Sequence, residues 1–206
     1  MLSGPIAPGF SNRITSGFGQ RGPEFHAGID IVTAPGAPVL AILGGRVMVY
    51  VTGRLNRYGN TVVIDSGRPG ARFQLYAHLD AIYVADGTDI EPATLIGRVG
   101  RTAGTRDDPG AVLAIAHLHL EFLTAWPPAG RKIDRVDPII ELNALGVSAQ
   151  VGAPIGAPAV APVPVGQSVP VGATAAAAGG ALALLFFLFL LSGLSVKSPR
   201  PIRLFT

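Results

Sequence analysis

The sequence predicts a mainly β domain of antiparallel sheets, arranged as a sandwich or an open barrel, followed by one C-terminal transmembrane α-helix. Three observations lead to this prediction. Short apolar runs in residues 1–145 are punctuated about every eight to twelve residues by Gly, Pro, Asn or Asp. No segment before residue 170 indicates a helix of three turns. Between Glu141 and Lys197 the chain contains no Asp, Glu, Lys or Arg.

The strands of the first domain are predicted from alternation and from β-branched residues. Residues 37–51, "APVLAILGGRVMVYV", alternate and are rich in β-branched side chains. Residues 59–67, "GNTVVIDSG", form a short apolar run with Gly at each end. Residues 71–79, "ARFQLYAHL", alternate apolar and polar positions. Several short strands separated by regular turns favour a sandwich or a barrel.

The charge-free span divides into a linker and a membrane segment. Residues 146–172 contain five prolines among Gly, Ala and Val, which excludes a regular helix and predicts an extended linker. Residues 173–196 are apolar over 24 positions, and as a helix they would extend roughly 36 Å, enough to cross a membrane. The alternative is a buried core helix, but such helices rarely lack a polar face.

The orientation of the chain in the membrane is predicted from its basic tail. Residues 197–206 carry Lys197, Arg200 and Arg203, and basic residues beside a spanning helix favour the cytoplasmic side. The N-terminal domain is therefore expected on the non-cytoplasmic side, although the first residues do not form a signal peptide. A tail anchor in a cellular membrane or a place in the lipid layer of a virus particle would suit this arrangement.

The amino-acid composition limits which partners and which metal ligands the protein can have. The net charge is +3 and no basic run is interleaved with aromatic residues, so nucleic-acid binding has little support. The chain has no cysteine, so any metal site must use nitrogen and oxygen ligands.

All four histidines of the chain lie in three short motifs. In "HLHLEF" (117–122), strand alternation places His117, His119 and Glu121 on one face and Leu118, Leu120 and Phe122 on the other. In "FHAGIDIV" (25–32), Gly28 permits a bend that brings His26 toward Asp30. The third motif, "YAHLD" (76–80), places His78 near the end of a strand.

Each histidine alone could be an ordinary core or surface residue, but the joint pattern indicates a metal site. His26, Asp30 and His119 form a set of two histidines and one carboxylate, which is typical of hydrolytic zinc with a fourth position left for water or substrate. His78 and His117 remain as imidazoles for proton transfer and charge stabilisation.

These motifs resemble the zinc metallopeptidases of the lysostaphin and LytM type, which cleave peptide bonds in bacterial peptidoglycan. "HAGID", "YAHL" and "HLHLEF" are similar to the family's His-x-x-x-Asp motif, its separate histidine and its late His-x-His. "ITSGFGQR" (14–21), "RYGNTVVIDSG" (57–67) and "IGRVGRTAGT" (96–105) also resemble the family, and the likeness covers about residues 10–140. Residues 106–116 are longer and more polar than the family loop, which affects the expected substrate preference.

The resemblance implies one Zn²⁺ ion held by His26, Asp30 and His119, with a peptidoglycan peptide as substrate. It implies that His117 is the general base and that His78 stabilises the oxyanion. Glu121 could orient an imidazole or could be an ordinary solvent-facing or ion-paired carboxylate. Tyr58 and Asn60 could line a groove or simply form a turn. The competing function is a non-catalytic module that binds the cell wall or serves a structural role at the membrane, but every ligand position is filled here.

Overall fold

The computed structural model describes residues 2–51, 54–55, 57–105, 107–108, 110–126 and 134–148. Within these residues the chain forms thirteen β-strands and one α-helix, which confirms the predicted mainly β fold. The strands of the N-terminal half are β1 (Asn12–Ser16), β2 (Gly19–Arg21), β3 (Glu24–His26), β4 (Ile29–Thr33), β5 (Pro38–Leu40), β6 (Gly45–Tyr50) and β7 (Thr61–Asp65). The remaining elements are β8 (Phe73–Ala77), β9 (Leu79–Ile82), β10 (Asp89–Ile90), β11 (Leu95–Val99), β12 (His117–Leu123), β13 (Arg135–Val136) and α1 (Pro138–Ala144).

One large antiparallel sheet dominates the structure. It has eight strands in the order β1-β4-β12-β8-β7-β6-β10, with β13 paired to β12. A second sheet has the order β5-β11-β9, and β2 and β3 form a separate hairpin. β12 is therefore central, and it hydrogen-bonds to β4 on one side and to β8 on the other.

The main hydrophobic core lies on one face of the large sheet. Ile29 and Ile31 of β4 and Leu118 and Leu120 of β12 are fully buried, as the alternation of both motifs predicts. Apolar residues of the smaller sheet, among them Ile96, join the same cluster. Because side chains alternate along a strand, Asp30, His117 and His119 lie on the opposite face.

The opposite face carries a second, smaller apolar cluster. Its buried members come from β7, β8 and the end of β12, and Trp126 packs against them. The face that holds the histidines is thus polar at one end and apolar at the other.

The alternation of β8 places polar residues toward the main core. Gln74 and Tyr76 are fully buried and face that core. Their polar atoms are satisfied, because Tyr76 donates to the Gln74 side chain at 2.8 Å and the backbone N–H groups of Ile42 and Leu43 donate to the same two side chains. Buried polar groups of this kind are tolerated when they are hydrogen-bonded.

The described chain ends with a short capped helix. Pro138 opens α1, and the Asp137 carboxylate accepts a hydrogen bond from Ile139 N at 2.9 Å. No helix among the described residues is long and apolar enough to span a membrane. The predicted transmembrane helix (173–196), the basic tail (197–206) and all but the first residues of the linker (146–172) lie outside the described residues.

Candidate metal centre

Cross-strand pairing brings the two halves of the candidate site together. Asp30 of β4 lies directly opposite His119 of β12 in the antiparallel register, and such partners have neighbouring side chains. His26 ends β3, two residues before Gly28. A Cβ at Gly28 would lie 2.2 Å from Leu120 O, so only glycine allows the chain to pass this close to β12.

Three ligand atoms from these residues converge. His26 Nε2 lies 3.1 Å from Asp30 Oδ1 and 3.2 Å from His119 Nδ1, and the last two atoms are 2.8 Å apart. A tetrahedral zinc site with bonds of about 2.0–2.1 Å separates its ligand atoms by about 3.3 Å. The set of two imidazoles and one carboxylate therefore fits zinc in both chemistry and spacing.

The imidazole ligands are held by partners on their other ring nitrogens. His26 Nδ1 donates to Gly17 O at 2.7 Å, which leaves Nε2 for the metal. His119 Nε2 donates to Glu121 Oε1 at 3.0 Å, which leaves Nδ1. Such partners fix the tautomer and the orientation of metal-binding histidines. Arg21 completes this side of the site, because its guanidinium contacts His26 and lies 3.6 Å from Asp30 Oδ2.

Glu121 is the centre of a buried polar network. Its side chain is fully buried and accepts hydrogen bonds from His119, from the Tyr58 hydroxyl and from Arg135 Nε at 3.0 Å. Burial raises the pKa of a carboxyl group, but the hydrogen bond and charge of His119 and the hydrogen bond from Tyr58 lower the pKa of Glu121 overall. Burial and the neighbouring charge of Glu121 raise the pKa of Tyr58, which stays a neutral donor.

The two carboxylates determine the charge of His119. Burial alone would lower the pKa of His119, but hydrogen bonds to Asp30 and Glu121 and their negative charges raise it to about 9. Burial would likewise raise the pKa of Asp30, yet hydrogen bonds with His119 and His26 hold it well below its usual range. Asp30 therefore stays ionised at neutral pH, as a metal ligand must be.

His117 and His78 lie beside the three candidate ligands. His117 Nε2 is 3.6 Å from Asp30 Oδ1, and the ring centroids of His117 and His78 are 4.8 Å apart. Each ring donates its Nδ1–H to a backbone carbonyl, His117 to Ile115 at 3.0 Å and His78 to Thr102 at 2.8 Å. Nε2 is the nitrogen left for a substrate in both rings.

The His78 ring is neutral in this setting. It is buried, and burial together with the charge of His119 lowers its pKa to about 4. With Nδ1–H committed to Thr102, a neutral His78 carries a lone pair on Nε2. It can donate a hydrogen bond from Nε2 only when it gains a second proton.

The structure thus brings together all five side chains that the sequence predicts for the site, and their catalytic roles stay predictions. Tyr58 lies in a turn, one of the two roles that the sequence left open for it, and its hydroxyl also donates to Glu121. Asn60 makes backbone contacts to neighbouring segments, as a turn residue would. Residues 101–103 lie beside residues 111–113, because Leu113 N donates to Arg101 O at 2.7 Å and Ala103 N donates to Ala111 O at 3.1 Å.

Three residues of the site were not found by sequence reasoning. Arg21, Thr102 and Arg135 contact the histidines or Glu121. For Arg21 and Thr102, the one sequence feature that could have indicated a place in the site is that both lie in segments that resemble the family. Nothing in the sequence pairs Arg135 with Glu121.

The donor set is the kind that a zinc-dependent peptidase would need, and the comparisons with known proteins identify the family. The family model for peptidase family M23 matches residues 24–135, more than half of the chain, and the chain belongs to this family. Members of family M23 are zinc-dependent. A comparison with curated proteins gave no match.

Solved structures share the fold. Lysostaphin from Staphylococcus simulans, described as an antimicrobial peptidase, is 23% identical with a TM-score of 0.53, and the match covers 65% of this chain and 50% of that one. Its catalytic domain alone gives a TM-score of 0.50 at 23% identity, over 65% of this chain and 92% of that one. A catalytic-domain variant of the prophage-encoded M23 protein EnpA from Enterococcus faecalis gives a TM-score of 0.50 at 23% identity. The match covers 67% of this chain and 95% of that one. The chain therefore spans about half the length of full lysostaphin.

Proposed function

We propose that this protein is a zinc endopeptidase that hydrolyses peptide cross-links of bacterial peptidoglycan. The observation that carries the proposal is the convergence of His26 Nε2, Asp30 Oδ1 and His119 Nδ1 within 2.8–3.2 Å of one another, beside two further histidines. Membership of family M23 supports a metallopeptidase. Every ligand position is filled, which favours an enzyme over a module that only binds the cell wall.

The reaction uses the two histidines that do not belong to the ligand set. A zinc ion held by the three ligands would supply Lewis acidity toward a peptide carbonyl and toward a water molecule. His117 accepts the proton of the attacking water at Nε2, because Ile115 O already holds its Nδ1–H. An imidazole is suited to this transfer near neutral pH.

His78 stabilises the negative charge that develops on the substrate carbonyl oxygen. Its Nδ1–H is committed to Thr102, so donation from Nε2 requires the ring to carry two protons. The ring takes this second proton from the solvent as the negative charge develops, because an opposite charge nearby stabilises the imidazolium. Glu121, Tyr58 and Arg135 do not touch the substrate in this proposal, and they hold His119 in place.

Cell-wall digestion tests this function. The full chain, loaded with zinc, is incubated with isolated walls of several bacterial types, and released peptides are identified by mass spectrometry. We expect cleavage that a chelator abolishes and zinc restores. The matched control is His117→Ala, which should retain zinc and lose turnover. Intact walls of every type, with metal-replete protein, would refute the proposal.

We further propose that residues 173–196 anchor the protein in a membrane with the N-terminal domain on the non-cytoplasmic side. The apolar span and the basic residues that follow it support this arrangement. The membrane is either a bacterial inner membrane or that of a phage virion, where the domain would open the wall. Mass spectrometry of purified particles and of bacterial membrane fractions distinguishes the two, and recovery only in soluble fractions would contradict the anchor.

A further inference from the structure

His78 has a backbone conformation that is uncommon for a residue with a side chain. Its φ angle is +63°, in the left-handed region, and its side chain is buried. Such a conformation persists only where the surrounding structure enforces it, and these positions cluster at functional sites. The contacts that hold His78 therefore bear on how its ring is presented.

Two segments hold His78 and the residue after it. His78 N donates to Tyr58 O at 2.9 Å, and Leu79 N donates to Asn60 O at 3.0 Å. The His78 ring donates from Nδ1 to Thr102 O at 2.8 Å. The backbone is thus held by the turn at 58–60, and the ring is held by Thr102.

The Thr102 hydroxyl joins these two segments. It donates to Leu79 O at 3.0 Å and accepts from Asn60 N at 2.9 Å. The hydroxyl therefore uses both its proton and a lone pair to fix the strand that follows His78 against the turn that holds it. On its other side, Thr102 forms an isolated β-bridge with Val112.

Gly59 allows this close approach. A Cβ at Gly59 would lie 2.3 Å from Thr102 O and 2.4 Å from Thr102 Oγ1, and the φ angle of Gly59 is +63°. Only glycine tolerates both the contact and the conformation without strain. The turn and Thr102 are thus packed backbone to backbone beside His78.

We infer that Thr102 is a positioning residue for His78 in the proposed hydrolysis. Its carbonyl fixes the orientation and the tautomer of the ring, and its hydroxyl fixes that carbonyl relative to the backbone of residues 58–60 and 79. Nε2 of His78 is then the one ring nitrogen available to the substrate. The inference rests on the proposed function for its catalytic consequence, but the hydrogen bond itself is testable without catalysis.

The kinetic test compares three variants of the full, zinc-loaded chain. Thr102→Val keeps the shape and removes the hydroxyl, and Thr102→Ser restores the hydroxyl. Thr33→Val is the matched control, since the buried Thr33 hydroxyl holds Ser11 O at 2.9 Å in another part of the domain. We expect Thr102→Val to lower kcat about 10- to 100-fold with little change in KM, because a small misplacement of a catalytic group has effects of this size. Thr102→Ser and Thr33→Val should stay within about threefold of the wild type.

The second readout is the ¹H–¹⁵N NMR signal of the His78 Nδ1–H group. The wild type should show a signal protected from water exchange, assigned by its loss in His78→Gln. Thr102→Val should lose or shift this signal, whereas Thr102→Ser and Thr33→Val should keep it. If Thr102→Val does not fold, Thr102→Ala removes the hydroxyl without adding an apolar branch and replaces it in both measurements.

The outcomes separate this inference from the proposed function. An unchanged His78 signal and unchanged kcat in Thr102→Val would overturn the inference. Equal losses in Thr102→Val and Thr33→Val would also overturn it, because they would indicate a general structural effect. If the wild type cleaves no wall, the proposed function fails, and the NMR comparison still decides whether Thr102 positions His78.

Discussion

Replacement of Glu121 by Gln tests whether the buried network supports the metal centre. Glu121 Oε1 accepts from His119 and Tyr58, and Oε2 accepts from Arg135. Gln offers one acceptor oxygen and one NH₂ donor in the same space. In either orientation the NH₂ group therefore faces at least one existing donor, and Arg135 loses its charged partner.

The size of the effect follows from burial. The Glu121 side chain is fully buried, and that of Arg135 is only 8% exposed. Breaking a buried ion pair by removing one partner costs about 3–5 kcal/mol, so Glu121→Gln should lower the free energy of unfolding by about this amount. Loss of the partner that orients a metal-binding histidine lowers metal affinity about 10- to 100-fold.

Urea denaturation and zinc titration against a competing chelator measure the two effects. Glu141→Gln is the matched control, because Glu141 pairs with Arg68 at 3.3 Å in a more exposed setting outside the site. We expect it to cost less than about 1 kcal/mol and to leave zinc affinity unchanged. The reasoning is refuted if Glu121→Gln binds zinc as tightly as the wild type and unfolds at the same urea concentration.

Three further predictions concern packing, pH and catalysis. Gly28→Ala should lower the free energy of unfolding by about 1–3 kcal/mol, because the new Cβ would clash with Leu120 O. The control is Gly17→Ala, which has open space around the new Cβ and should cost much less in the same urea experiment. Equal losses in the two variants would contradict this prediction. Because the pKa of His119 is raised to about 9, zinc must displace a proton from this ring at neutral pH, and zinc affinity should fall about tenfold for each pH unit below 9. Calorimetry of zinc binding in two buffers of different ionisation enthalpy measures the proton released. No proton release at pH 7 would count against this prediction. His117→Ala should reduce kcat on isolated walls by about 10²- to 10⁴-fold at unchanged zinc content, and near-wild-type turnover would remove His117 as the base.

The sequence predicts the orientation of side chains best where the alternation of apolar and polar residues along a strand agrees with the packing of the core. On β12, Leu118 and Leu120 are buried as predicted, because a central strand must place its apolar side chains against the core. The same pattern left open whether Glu121 faces solvent or a partner. That choice depends on Tyr58 and Arg135, which approach from distant parts of the chain.

Tertiary contacts also determine features that local patterns do not contain. Gln74 and Tyr76 face the main core because backbone N–H groups at Ile42 and Leu43 need acceptors there. The left-handed conformation of His78 is likewise enforced by its neighbours, because it is uncommon for any residue other than glycine and the local sequence alone does not predict it. The candidate ligands were accessible to sequence reasoning because the chain has only four histidines, and all lie in short motifs.

Metal analysis of the purified full chain tests the central claim most directly. We expect one zinc per chain, with X-ray absorption showing only nitrogen and oxygen ligands at about 2.0–2.2 Å. His26→Ala, Asp30→Ala and His119→Ala should each lose the metal, whereas His117→Ala should keep it. Zinc retained at full stoichiometry and with unchanged absorption in all three ligand variants would contradict the account.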